Sequence, residues 1–125
     1  AHHPTELLAT INTLRHKYKD KKIVAVFEPH RYSRTKNFWE EFVNSFEKVD
    51  TVYISPIYPA SEKPIQYIDS EILVKNINEK FSNAIFLKDL TDIKTIIDES
   101  KNQNVLLVTL GAGPISKIVR NILNA

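Results

Sequence analysis

Apolar positions along the chain alternate between two rhythms. Leu7, Leu8, Ile11, Leu14 and Tyr18 recur at helical spacing over residues 5–18. Pro4 suits the first turn of that helix and Glu6 its positive end. The run "IVAVF" (23–27) is continuous and β-branched, the signature of a strand buried on both faces. Phe38, Trp39, Phe42, Val43 and Phe46 then form an aromatic helical stripe, and "TVYIS" (51–55) reads as a second strand. "PIYPASEKPIQYI" (56–68) carries three prolines and predicts a loop, long for a compact domain and of a kind that is often functional. Asp69 or Ser70 caps a helix running to about residue 80, with Ile72, Leu73 and Ile77 inward. "AIFL" (84–87) is a third strand, and Thr91 caps a helix carrying Ile93, Ile96 and Ile97. "NVLLVTL" (104–110) carries the strongest strand signal. It leads through "GAG" into a helix with Pro114 near its first turn and Ile115, Ile118, Val119, Ile122 and Leu123 on one stripe.

The order is α-β-α-β-α-β-α-β-α. Apolar strands alternating with amphipathic helices predict a three-layer, Rossmann-like α/β fold. Its mostly parallel sheet has four or more strands and helices on both faces. Residues 1–125 fit one domain. In such sheets ligands bind beyond the carboxyl ends of the strands. The segment after the first strand, the proline loop and "GAG" should therefore share one rim.

Composition narrows the function classes. Seventeen basic against 15 acidic residues leave a net charge of +2, too weak and too evenly mixed to argue for nucleic acid or an anionic membrane. No apolar run approaches the roughly 20 residues of a membrane span, and no signal-peptide pattern opens the chain. Cysteine is absent, which excludes disulfides and thiolate metal sites and agrees with a cytoplasmic location. The two glycines, Gly111 and Gly113, flank Ala112 in one tripeptide, as if that backbone shape were required.

The candidate chemistry sits in "PHRYSR" (29–34). Arg31 and Arg34, three positions apart, can converge on one carboxylate or phosphate, because a guanidinium fork matches planar oxyanions. A helix starting near Ser33 or Thr35 would aim its amides at the same place. The competing reading is a solvated turn whose arginines pair with Glu40 or Glu41; an arbitrary loop would favour that turn, and the strand-end position brings the two readings level. "LGAGPIS" lacks the third glycine of a dinucleotide fingerprint and reads as a tight strand-to-helix turn, with Gly111, Ala112 and Gly113 at the rim or contacting another domain. His2, His3, His16 and His30 show no metal-ligand spacing, so no metal site is expected. Asp20, Asp50, Asp89, Asp92 and Asp98 read as surface or capping groups. No Ser/His/Asp order and no G-x-x-x-x-G-K-[ST] phosphate loop appears.

Four stretches in order, "AHHPTE", "FEPHRYSRT", "IYPASEKPI" with a following "DS", and "GAGPI", resemble the C-terminal domain of the Mur ligases, most closely the branch that joins L-alanine to UDP-N-acetylmuramate. The resemblance implies one domain of a three-domain, ATP-dependent ligase of peptidoglycan synthesis. Its N-terminal domain would bind the UDP-sugar, and its central domain ATP and magnesium. The sugar carboxylate is phosphorylated to an acyl phosphate, which the alanine amine attacks. By the same resemblance Arg31 and Arg34 hold the alanine carboxylate with His30 beside them, and His2 and His3 line the nucleotide side of the domain junction. Holding the carboxylate orients the amine, which is a large part of such catalysis.

Departures from the family pattern are Glu28 for glutamine, Ser61 for glycine and Pro114 for Asp or Asn. Glu28-Pro29 also resembles the murein tripeptide ligases. The Asp-Tyr expected before Ala1, whose aspartate would contact the ATP ribose, is absent. Without phosphate loop or magnesium ligands the chain is expected to be an excised domain, inactive alone. The alternative is a stand-alone, non-catalytic module that binds an anion or a protein partner.

Overall fold

The computed structural model describes residues 3–100 and 104–111. Helix α1 (Pro4–Lys17) precedes strand β1 (Lys22–Glu28), the short helices α2 (Tyr32–Asn37) and α3 (Trp39–Asn44), and strand β2 (Thr51–Ile54). Helix α4 (Ser70–Lys80), strand β3 (Ala84–Phe86), a 3-10 turn (Leu90–Asp92), helix α5 (Ile93–Ser100) and strand β4 (Val105–Gly111) follow. The four strands form one sheet in the order β3-β2-β1-β4, with every pairing parallel. This is the expected α/β class.

Strand β1 is central because its sequence permits burial on both sides. Ile23, Ala25 and Phe27 face a core built with Val52, Ile54, Leu7, Ile11, Phe42, Val43, Phe46, Leu73 and Ile77. Val26 faces the opposite layer, where Leu87, Ile93, Ile96 and Ile97 pack with Val24, Tyr53 and Leu107. The two-residue period of β1 thus sends successive side chains into helical layers on opposite faces. Phe27 meets Phe42 and Phe46 at ring-centroid distances of 5.5 and 5.3 Å. Burying an aromatic ring of this kind stabilises by about 1.5–3 kcal/mol.

Two local expectations change. The aromatic stripe is not one helix: Phe38, at φ −119 and ψ 29, ends α2 and begins α3. Its ring lies edge-on to His3 at 4.8 Å, while Phe42 and Phe46 turn toward Phe27. Thr91 is not a helix cap; it lies inside the 3-10 turn, and its amide donates to the Asp89 carboxylate at 3.0 Å. Asp is the stronger capping group and stands two residues earlier, where such a turn closes locally. Strand β4 is an edge of the described sheet, so only Leu110 among its residues is fully buried. Asp69 caps α4 as expected, accepting from the Ile72 amide at 2.8 Å. The helix expected over 114–123 lies outside the described residues.

At the amino ends of the strands, Asp50 ties the elements together. Its Oδ2 accepts from the Ile23 amide at 2.7 Å and from Arg15 at 2.8 Å. Arg15 also donates to the carbonyls of Lys21 and Lys48. No helix among the described residues is long and apolar enough to cross a membrane.

Candidate functional site

The site forms where β1 runs out of sheet. Pro29 has no amide hydrogen to continue a ladder, yet the pairing resumes one residue later, as an isolated parallel bridge between His30 and Tyr58. The Tyr58 amide donates to the Pro29 carbonyl at 2.9 Å, and the Arg31 amide donates to the Tyr58 carbonyl at 2.7 Å. The His30 and Tyr58 rings lie 5.4 Å apart. The proline loop is therefore stitched directly to the arginine segment, and the two share one rim as the fold class requires.

Arg31 takes φ 72 and ψ 142, a region that side-chain-bearing residues rarely occupy. Its carbonyl then accepts from both the amide and the hydroxyl of Thr35, at 3.2 and 2.7 Å. Thr35 is fully buried, so this anchor is shielded from water. Arg31 itself is exposed, and Arg34 is half-buried one turn further on. Among the described residues neither guanidinium lies within ion-pair distance of a carboxylate, and Arg34 Nη1 is buried without a hydrogen-bond partner. The expected alternative pairing with Glu40 or Glu41 does not form. Glu40 instead sits 3.9 Å from Lys80, at an exposed position where an ion pair contributes little.

The α2 amides do not serve as expected either. Helix α2 is only 6 residues long, and Glu62 of the proline loop takes the Ser33 amide at 3.0 Å and accepts a further hydrogen bond from the Ser33 hydroxyl. Those hydrogen bonds, with a smaller contribution from the charge of Arg31, hold the Glu62 carboxyl below its ordinary value. Neither Glu62 nor Tyr58 was identifiable from sequence spacing, because their partners lie 29 and 27 positions away.

Beside this segment a cavity of about 230 Å³ opens between Tyr32, Pro56, Ile57, Asp69, Ser70, Glu71 and Phe86. Its floor is fixed where the buried Ser70 hydroxyl donates to the Ser55 carbonyl at 2.5 Å. His3 caps α1, its Nδ1 accepting from the Thr5 amide at 3.2 Å, and its ring meets Phe38, whose amide donates to the Arg34 carbonyl. His3 thus borders the arginine segment; His2, Ala112 and Gly113 lie outside the described residues. Gly111 ends β4 opposite Glu28, with φ 136, and a side chain there would meet the Glu28 backbone. This fits a tight turn that brings two backbones close.

A parallel α/β sheet, with Arg31 and Arg34 beyond the carboxyl end of β1, is the setting in which the family match acquires meaning. Residues 1–113 match the family described as "Mur ligase, glutamate ligase domain", and the chain belongs to that family. Among curated relatives, the UDP-N-acetylmuramate–L-alanine ligase of Brachyspira hyodysenteriae is 40% identical over 94% of this chain and 26% of its own length. That of Lactobacillus acidophilus is 44% identical over 94% of this chain and 25% of its own. The chain therefore spans about a quarter of the relatives it matches.

Solved structures agree in fold. A domain of a Haemophilus ducreyi protein, described as a UDP-N-acetylmuramate:L-alanyl-γ-D-glutamyl-diaminopimelate ligase, superposes with a TM-score of 0.65. It is 26% identical, over 99% of this chain and 84% of that one. A murein peptide ligase of Psychrobacter arcticus superposes with a TM-score of 0.74 at 18% identity, over 99% of this chain and 25% of that one.

Proposed function

We propose that this chain is the C-terminal domain of an ATP-dependent ligase that joins L-alanine to UDP-N-acetylmuramate in the cytoplasm, and that it presents the incoming amino acid. The observation that carries this reading is the pair Arg31 and Arg34: two guanidiniums on the ligand-bearing rim, without a carboxylate partner among the described residues, one with a buried unsatisfied nitrogen. A buried donor without a partner is costly, and a carboxylate ligand would satisfy it. With His30 beside the pair, a carboxylate bound in the fork leaves the amine of the same small molecule in a defined orientation. That restriction is what an attack on an activated acyl group needs. Identity of 40–44% to alanine ligases over 94% of the chain supports L-alanine as the amino acid.

The chain's own residues do not fit ATP and magnesium. The sequence has no phosphate loop, and no group of three or more His, Asp or Glu among the described residues could hold a metal ion. In this reading both belong mainly to a central domain, with His2 and His3 on the nucleotide side of the junction. The remaining partners are UDP-N-acetylmuramate and the ligase's own N-terminal and central domains. The isolated chain is then inactive. In this reading Gly111, Ala112 and Gly113 contact a neighbouring domain.

A second reading, a murein tripeptide ligase domain, is favoured by Glu28-Pro29 and by the 26% identity to the Haemophilus ducreyi domain. Phosphate release by the complete ligase separates the two. Release that depends on L-alanine, with an alanine KM raised at least tenfold in Arg34→Ala, supports the first. Release that depends on the tripeptide supports the second, and an unchanged KM and rate in Arg34→Ala overturns the clamp.

A further inference from the structure

Glu62 belongs to the proline loop, yet both of its carboxylate oxygens are engaged by one residue of the arginine segment. Oε1 accepts from the Ser33 amide and Oε2 from the Ser33 hydroxyl. Ser33 stands between Arg31 and Arg34 in the chain. The same two segments are joined again where Tyr58 bonds Pro29 and Arg31 through its backbone. Arg31 lies between these attachments in a backbone conformation at φ 72 that persists only where its surroundings over-determine it. Thr35 supplies the restraint on the other side, through two bonds to the Arg31 carbonyl.

The electrostatics of Glu62 point the same way. A carboxylate close to Arg31 would ordinarily form a bidentate pair with the guanidinium and compete with any anionic ligand. Glu62 feels the charge of Arg31 but makes no ion pair with it among the described residues. Its lone pairs are directed at Ser33. The carboxylate therefore contributes a restraint while leaving both guanidiniums open.

We propose that Glu62 is a positioning residue of the amino-acid site. Through its two-point attachment to Ser33 it holds the 56–68 loop against the start of α2 and fixes the directions in which Arg31 and Arg34 meet a ligand carboxylate. This rests on the reading in which those arginines bind the incoming amino acid, and it adds the element that sets their geometry.

The experiment compares Glu62→Ala, Glu62→Gln, Ser33→Ala and Arg34→Ala in the complete ligase, by alanine-dependent phosphate release and amide hydrogen exchange. Glu62→Ala raises the alanine KM about tenfold, the scale of losing hydrogen bonds to a charged group, and leaves the KM for ATP and for the UDP-sugar unchanged. Glu62→Gln keeps one acceptor and recovers part of the loss. Ser33→Ala added to Glu62→Ala costs nothing further, because both changes break the same contact. Exchange of the Arg31 and Ser33 amides quickens in Glu62→Ala and not in Arg34→Ala.

If Arg34→Ala raises the alanine KM and folded Glu62→Ala does not, the positioning role is overturned and the site stands. If Arg34→Ala leaves that KM unmoved, the site reading fails and this proposal with it. Should Glu62→Ala not fold, Glu62→Gln and Ser33→Ala decide, and an unchanged alanine KM in both overturns the proposal.

Discussion

Gly111 faces Glu28 across the end of the β1–β4 ladder, so closely that a Cβ there would lie 2.7 Å from the Glu28 carbonyl oxygen. The neighbour is backbone and cannot swing aside, and φ at Gly111 is 136, where a side chain is strained even in open space. Gly111→Ala is expected to cost about 1–3 kcal/mol from the backbone conformation alone, with the contact adding to it. Urea denaturation checks this: the midpoint falls in Gly111→Ala with an unchanged slope.

Arg31 gives a test in which stability and function separate. Arg31→Ala removes the guanidinium and keeps the strained φ of 72, whereas Arg31→Gly removes both. Glycine accepts this region freely but costs more backbone entropy on folding. The glycine variant is expected to be about 1 kcal/mol more stable than the alanine variant, while both lose the ligand contact equally. Thermal unfolding and alanine KM, measured on both proteins, check the two halves.

Asp50 sets an acid limit. Partial burial pushes its carboxyl up, but the hydrogen bonds from Arg15 and the Ile23 amide, with the charges of Arg15 and Lys22, hold it below the ordinary 3.8. A group depressed in the folded state stabilises above its unfolded pKa, and that contribution is lost as pH falls through the folded value. The loss therefore comes below about pH 4. Asp50 is 42% exposed, which screens the pair, so Asp50→Asn is expected to cost about 1 kcal/mol at neutral pH. Stability measured from pH 7 to pH 2 should fall less steeply in Asp50→Asn than in the parent, and the two curves should converge in acid.

Most of the architecture was legible because its cause is local. The β-branched run at 23–27 and the helical stripe of Leu7 and Ile11 carry their burial in their own spacing, and both lie in the core. The proposed anion clamp was named from residue types on a strand-end loop. What spacing cannot carry is pairing at a distance. The Ser33–Glu62 and Arg31–Tyr58 bonds join segments 29 and 27 positions apart, so the proline loop had no visible partner. Asp50 read as a surface or capping group and is exposed, but its link to Arg15 spans 35 positions and left no local signal. Ser61, standing where the family pattern has glycine, still takes φ 72. The turn is imposed by the loop anchors and not by that residue's own preference.

The carboxylate that the arginines are proposed to hold can be removed from the substrate itself. The complete ligase and its Arg34→Ala variant are each supplied with L-alanine and with L-alaninamide, which keeps the amine and methyl group and lacks the carboxylate. The parent enzyme is expected to prefer L-alanine by about 100-fold in kcat/KM, the scale of a charge-assisted fork. In Arg34→Ala the preference should shrink to about tenfold or less. An equal preference in the two proteins would contradict the assignment of this rim as the amino-acid carboxylate site.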